Sequence, residues 1–312
     1  LEVFFKSLIL GPSHWLPRIT LFALKRTAEA HIKKLGFPLS CTPEGIAFPQ
    51  GLLRCSWVKN SALLPQSTLS LHEAMQESQV CSSPVLFTLP STKDDLRNPA
   101  KPRQRYLGHT EFLRAHFDAP ELGMFFTSDD LHVLLLTDHV ALNEVKTQLT
   151  PKLFRDKLKR SLQSLKTLEP AIQGALIAGL NPHAGEGGLL GKDEIRLAAA
   201  LKKLRAEMPR FPLLGFLPGD TLFNQRKSQS ELLVYLYHDQ GLAPFKALKG
   251  TLGANVTLGL PFPRLSVDHG TAFALYGKNI ADPRGAYYCL RKAMVYGERM
   301  NGKDNCLQGQ GS

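Results

Sequence analysis

The chain has 312 residues, 43% of them hydrophobic and 21% charged, with 25 Gly and 21 Pro. It is too apolar for a disordered chain, and at roughly 100–200 residues per domain it is long enough for about two domains or one large α/β unit. Lys and Arg number 38 against 27 Asp and Glu, a net charge of +11. The basic residues are scattered along helix faces, and the one dense run, Lys101-Pro-Arg103-Gln-Arg105, carries no aromatic. That distribution argues for small anionic ligands and against nucleic acid as the partner.

The opening Leu1 to Gly11 is apolar but broken by Lys6 and followed by no small-residue cleavage site, so it does not read as a signal peptide. No run reaches the roughly 18–20 apolar residues of a membrane span. Ile19 to Leu35 places apolar residues at helical spacing, with Gly36 and Pro38 to stop a helix. Cys41 to Leu69 is rich in Pro, Gly and Ser and holds a short strand over Leu52 to Val58. A helix over Leu71 to Gln79 and a buried strand over Pro84 to Thr88 follow, and Ser91 to Leu107 reads as a loop or domain crossing. Five cysteines (Cys41, Cys55, Cys81, Cys289, Cys306) form no C-x-x-C pair and predict reduced thiols in a cytoplasmic protein.

The remainder alternates. Strands are predicted over Leu131 to Thr137, Ala175 to Leu180, Glu231 to Tyr237 and Ala254 to Gly259. Helices are predicted over Leu142 to Leu168 with a break near Pro151, Asp193 to Met208, and Tyr287 to Met300. Strands buried on both faces and alternating with helices predict a largely parallel sheet covered by helices.

Three of these strands run into a histidine: His139, His183 and His238. Ligands of open α/β sheets bind outside the carboxyl ends of the strands. Three imidazoles delivered to that edge could meet on one divalent metal and leave positions open for substrate. Equally, each could cap its own strand with a hydrogen bond. Asn181 to Gly188 is a glycine-rich turn able to bring backbone N–H groups to an anion. Gly108-His-Thr-Glu-Phe112 opens a helix with Thr110 as a candidate N-cap. Lys246, Asn255 and Arg264 form a set able to grip carboxylate or phosphate, or they are solvated surface residues.

From Gly108 onward GHTEF (108–112), GLNPHAGEGG (179–188), DTLF (220–223), YHDQGL (237–242), NVTLGLPF (255–262) and SVDHGTA (266–272) follow one another in register. In these motifs the chain resembles the 4-hydroxythreonine-4-phosphate dehydrogenase (PdxA) family. The resemblance implies a two-domain α/β fold like that of isocitrate and isopropylmalate dehydrogenases, with mostly parallel sheets and helices on both faces. It places residues 1–107 with about 276–312 in one domain and 108–275, carrying the metal and substrate residues, in the other. The active site is expected in the interdomain cleft, at a homodimer interface.

The family's metal histidines fall on His139, His183 and His238, the third coming from the partner subunit. Its substrate contacts fall on His109, Thr110, Lys246, Asn255 and Arg264. Asp268, His269, Gly270, Thr271 and Ala272, with Asn279 and Asp282, resemble the adenosine-side loop for NAD or NADP. The implied reaction is oxidation of 4-phosphohydroxy-L-threonine, with decarboxylation to 3-amino-2-oxopropyl phosphate, in pyridoxal phosphate biosynthesis. Lys246, Asp220 and Asp239 are the acid/base candidates. Three imidazoles suit Zn2+, with Co2+, Mn2+ or Mg2+ as other expectations.

Rival expectations are a paralogue acting on 4-phosphothreonate, 4-phosphoerythronate or a dihydrodiol, and a degenerate homologue that binds metal or phosphometabolite without turnover. The departures motivate the second. Leu10 to Pro17 stands where the family has a GDPxGIGPE-like loop, so the first strand is lost or the loop has diverged. In Thr88-Leu-Pro-Ser-Thr-Lys93, Leu89 replaces a glycine while Lys93 remains.

Overall fold

The computed structural model describes residues 1–92, 95–119 and 121–308, with side chains through 301. Lys93 and the side chain of Cys306, singled out above, lie outside them. The chain divides into two compact units, Leu1–Asp118 with Arg264–Ser312, and Ala119–Pro263.

The first unit opens with helix α1 (Glu2–Leu10), where the sequence reading placed no element. Phe4, Phe5 and Leu8 turn inward, and their burial stabilises the unit by about 1.5–3 kcal/mol each. The helix expected from Ile19 is instead strand β1 (Thr20–Ala23) followed by helix α2 (Lys25–Leu35). Thr20 and Phe22 favour extended backbone, and β1 is paired in parallel with a later strand. α2 stops as expected, at Gly36 with φ 64°. β2 (Ser40–Cys41), β3 (Gly45–Phe48) and β4 (Gly51–Trp57) complete a sheet of order β1-β4-β3-β2, antiparallel except for β1 with β4.

Helix α3 (Gln66–Val80) and strand β5 (Leu86–Thr88) follow. The expected loop then holds a small hairpin, β6 (Arg97–Asn98) with β7 (Lys101–Arg105). Its turn is local chemistry: the Asn98 side-chain oxygen accepts from the N–H groups of Ala100 and Lys101 at 2.9 and 3.2 Å. Helix α4 (His109–His116) closes this stretch.

The second unit runs through β8 (Gly123–Thr127), β9 (His132–Leu135), α5 (Leu142–Gln148), α6 (Pro151–Leu168), β10 (Gly174–Ala178), α7 (Asp193–Glu207), β11 (Leu213–Leu217), β12 (Glu231–Tyr235), α8 (His238–Lys249) and β13 (Ala254–Leu258). Its strand order is β11-β10-β12-β9-β8-β13. The first four are mutually parallel and the last two pair antiparallel, so the sheets are mixed within the expected α/β class. β8, β9 and β10 are buried along their whole length. Phe126, Val133, Leu176, Leu233, Tyr235 and Phe245 belong to one core cluster. The break near Pro151 is real: Thr150 Oγ1 accepts from the Leu153 N–H at 3.1 Å, and Pro151 opens α6.

The chain returns to the first unit with β14 (Arg264–Val267), parallel to β5, and α9 (Arg284–Gln308). Sequence reading set the divisions at 107/108 and 275/276; contacts set them at 118/119 and 263/264. The reason is pairing. β14 lies in register with β5, and Tyr106 packs edge-on against Phe112 of α4 at 5.1 Å. His109, Thr110, Arg264 and the 268–275 segment therefore belong to the first unit, not to the unit that carries the three histidines. Among the described residues no helix is long and apolar enough to cross a membrane.

Candidate functional site

In the second unit β10, β12 and β9 are neighbours running the same way, so their carboxyl ends form one edge, and each is followed there by one of the three histidines. The strand ends are fastened together. Thr137 donates its N–H and its Oγ1 hydrogen to Leu236 O, at 3.1 and 2.8 Å. Gln240 donates from Nε2 to Gly179 O at 2.7 Å and accepts the Leu236 N–H on Oε1 at 2.9 Å.

On this edge His139 and His238 come together, ring centroids 5.4 Å apart. The resemblance implied that His238 arrives from a partner subunit; within this chain it already lies beside His139. His183 is bonded elsewhere, Nδ1 to Glu186 Oε1 at 2.6 Å. Among the described residues no three or more His, Cys, Asp or Glu gather as a metal-holding group. The donor chemistry nevertheless suits a divalent cation. His238 Nδ1 faces Asp239 Oδ1 at 2.7 Å, as His183 Nδ1 faces Glu186. A carboxylate on Nδ1 fixes the tautomer that leaves Nε2 as the electron-pair donor. The Glu186 carboxylate, and behind it Asp220, raises the His183 pKa.

His183 stands in an unusual backbone. Residues 183 to 187 all have positive φ (49, 53, 80, 43 and 66°), a left-handed turn that costs roughly 1–2 kcal/mol for each non-glycine member. Buried carboxylates brace it. Glu194 Oε1 accepts the N–H groups of Leu180 and Asn181 at 2.7 and 2.8 Å, and Oε2 accepts from Asn181 Nδ2 at 3.0 Å. Asp193 takes the same amide at 3.2 Å. A Cβ on Gly185 would lie 2.6 Å from Glu194 Oε2, so that glycine is required by φ and by space together. Glu194 and Gln240 were not singled out from sequence, and only their place at the start of α7 and α8 beside a glycine-rich turn could have pointed to them.

The other second-unit residues separate by position. Asp239 is committed to His238, and Asp220 is exposed beyond β11. Lys246 is exposed on α8, the helix that His238 opens. Asn255, the second residue of β13, keeps Oδ1 buried with no hydrogen-bond partner among the described residues.

In the first unit a helix start and a buried arginine lie close together. α4 starts at His109 with Gly108 as the extended N-cap residue. Thr110 is therefore inside the first turn and not the cap, because Glu111 instead reaches back to accept the Leu107 N–H. Arg264 is 4% exposed and donates from Nε and Nη2 to Thr88 Oγ1, at 2.9 and 2.6 Å. Burial lowers its pKa to about 10. Burial, then the Arg264 charge, pushes His109 down to about 3, which keeps that ring neutral at physiological pH.

The segment expected to take the cofactor follows β14. Asp268, His269 and Thr271 are half-buried, while Gly270, Ala272, Asn279 and Asp282 are exposed. His269 Nδ1 faces Gly270 O at 3.0 Å, and Asp282 accepts from the Arg284 N–H at 2.9 Å and from its guanidinium at 2.7 Å. Ala272, Gly277 and Asn279 have φ of 48, 75 and 56°. The exposed Asp282 carboxylate, held in place by Arg284, is an acceptor of the kind that suits a ribose hydroxyl.

Comparison with known proteins agrees with this architecture. The family model described as pyridoxal phosphate biosynthetic protein PdxA matches residues 60–293. The D-threonate 4-phosphate dehydrogenase of Cupriavidus necator is 39% identical over 211 residues, 67% of this chain and 62% of that protein. The 4-hydroxythreonine-4-phosphate dehydrogenase of Aromatoleum aromaticum is 42% identical over 191 residues, 60% of this chain and 58% of that one. The matched segments thus span less than two thirds of these relatives' own length. A crystal structure of a 4-hydroxythreonine-4-phosphate dehydrogenase from Burkholderia phymatum superposes with a TM-score of 0.76 at 27% identity, covering 95% of this chain and 93% of that one. The histidine edge, the glycine-rich turn and Asn255 all lie within the matched stretch, and the chain belongs to the PdxA family.

Proposed function

We propose that the protein is a metal-dependent, nicotinamide-dependent dehydrogenase of a phosphorylated 3-hydroxy acid, with 4-phosphohydroxy-L-threonine as substrate, in pyridoxal phosphate biosynthesis. The observation that carries the reading is the pairing of His139 and His238 on the carboxyl edge of a parallel sheet, with a carboxylate on the Nδ1 of His238. When bound, the metal supplies Lewis acidity at the carbinol and the nicotinamide a hydride acceptor, giving a β-keto acid that loses CO2 to leave 3-amino-2-oxopropyl phosphate.

The chain's own residues supply binding and proton handling. His139 and His238 are the ligands from one chain. His183, held by Glu186 on its braced turn, is the third, and a homodimer is the assembly that brings the set together. Arg264 and the amides that open α4 take an anionic end of the substrate, where neutral His109 adds a donor without a second positive charge. Asn255 offers its buried amide to a polar substrate group. Among Lys246, Asp220 and Asp239, the last orients His238 and Asp220 acts on His183, which leaves Lys246 as the acid/base. Zn2+ is the metal that an all-imidazole set favours, with Co2+, Mn2+ or Mg2+ as alternatives. The dinucleotide, NAD or NADP, is assigned to the 268–282 segment.

The name of the Cupriavidus relative motivates a second reading, in which the substrate is D-threonate 4-phosphate and carries a hydroxyl in place of the amine. Parallel turnover of the two compounds decides between them. A kcat/KM at least tenfold higher for 4-phosphohydroxy-L-threonine supports the first reading, and the reverse ratio replaces it with the second.

A further inference from the structure

We propose that Glu2 and Lys6 of α1 are positioning residues for the adenosine end of the dinucleotide, acting through the 277–283 segment. The inference rests on the reading above that this segment takes the cofactor. α1 precedes the divergent Leu10 to Pro17 stretch and lies outside residues 60–293, which the family model matches, so the resemblance gives it no role.

The two residues sit one turn apart. Lys6 Nζ meets Glu2 Oε1 at 2.7 Å, with the side chains 19% and 11% exposed. A single i,i+4 pair on one helix contributes little to that helix by itself. Here the remaining hydrogen-bonding capacity goes to a distant stretch of backbone. Lys6 Nζ donates to Asn279 O and Ala281 O, at 2.9 and 3.1 Å, and Glu2 Oε1 accepts the Ala281 N–H at 2.9 Å. Ser7, next on the helix, sets its Oγ 3.1 Å from Pro283 O, sharing its one hydroxyl hydrogen with Val3 O at 2.6 Å. Contacts from Glu2, Lys6 and Ser7 thus hold residues 279, 281 and 283 against a helix whose opposite face is locked by buried Phe4, Phe5 and Leu8.

α2 holds the same segment from the other direction. Asn279 Nδ2 donates to Leu35 O at 3.3 Å, and Lys34 Nζ lies 4.2 Å over the Tyr276 ring. A Cβ on Gly277 would meet Lys34 Cε at 2.1 Å. All these ties go to backbone or to residues 276 and 279, while the Lys278 side chain and the Arg284-paired Asp282 carboxylate stay exposed. The clasp sets the shape of the backbone and leaves the recognising groups outward. Hydrogen bonds to a charged group are among the stronger ones, so loss of the Lys6 contacts is expected to weaken dinucleotide affinity about tenfold.

The test compares Lys6→Met, Glu2→Gln and the conservative Lys6→Arg with Asp282→Ala, a direct change in the segment. Amide hydrogen exchange over 276–283 is read in the protein without dinucleotide, NAD affinity by calorimetry, and KM and kcat by steady-state assay. Lys6→Met and Glu2→Gln are expected to speed exchange in the segment and to raise the Kd and KM for NAD about tenfold. The KM for the phosphorylated substrate and kcat at saturating NAD stay within twofold, and Lys6→Arg restores wild-type behaviour. Unchanged exchange, or unchanged NAD affinity while Asp282→Ala weakens it, overturns the inference and leaves the cofactor assignment standing. Unchanged affinity in Asp282→Ala as well overturns that assignment and the inference with it. Glu2→Gln keeps the side-chain shape, so a folding defect confined to Lys6→Met does not remove the test.

Discussion

The turn at 183–187 and the segment at 268–282 both contain non-glycine residues in left-handed backbone, yet they are held in opposite ways. The first is braced from within, by the buried Glu194 and Asp193 carboxylates that follow it in the same unit. The second is mostly exposed and is tied from outside by Glu2, Lys6, Ser7 and the end of α2. The difference matches the roles proposed for each. A metal ligand needs a fixed direction, because its bond is short and angular. A dinucleotide loop admits and releases a large ligand, which calls for a shape kept by few, breakable contacts.

This contrast can be broken at several points. The largest effect is expected from His238→Ala or His139→Ala. Either removes a proposed metal ligand on the sheet edge and should lower kcat/KM by about a thousandfold or more, with the folded state retained by circular dichroism. Next, Glu194→Ala leaves the Leu180 and Asn181 N–H groups unpaired in a buried site and should lower stability by about 3 kcal/mol in urea unfolding. A loss below about 1 kcal/mol would mean that the turn does not depend on its inner brace. Gly185→Ala meets both a positive φ and the Glu194 carboxylate and should cost about 2 kcal/mol. Gly187, with φ 66° but nothing within 4 Å of a Cβ, should cost less when replaced by Ala.

The smallest effect is electrostatic. Folded His109 takes its proton only near pH 3, against 6.5 for an ordinary imidazole. Between those values the unfolded chain binds more protons than the folded one, so stability rises with pH across this window and falls on acidification from about 6.5. His109→Asn removes that contribution. The midpoint of urea unfolding should therefore drop less between pH 7 and pH 5 in the variant than in the wild type, and an equal drop would show that His109 titrates normally in the fold.

The parts legible in the sequence were those encoded by short-range pattern. Apolar runs marked β9, β10 and β12, and each led directly into a histidine, so the edge could be assembled before any coordinates. Pro151 divided its helical stretch by opening α6, and Gly36 ended α2, both as expected. Pairing over long sequence distances was not legible. β1 lay hidden in an apparent helix, because its extended form is set by β4. α8 was missed because Gly241 and Pro244 look like breakers. Gly241 in fact lets the helix approach the sheet, where a Cβ would lie 2.7 Å from Leu135 and Tyr235. β14 went unread, and with it the unit boundary, since only β5 gives Arg264 its place. Gln240 and Glu194 act on backbone groups through tertiary contacts that no spacing rule announces.

The central claim is that the histidine edge holds a catalytic metal. It is tested most directly by following NADH formation from 4-phosphohydroxy-L-threonine, with metal content measured on the same samples. Wild type, chelated protein, chelated protein with Zn2+ restored, His183→Ala and His238→Ala are compared. The account predicts turnover lost on chelation and regained with metal, and neither metal retention nor turnover in the two variants. Full turnover by metal-free protein, or by His238→Ala, would contradict it.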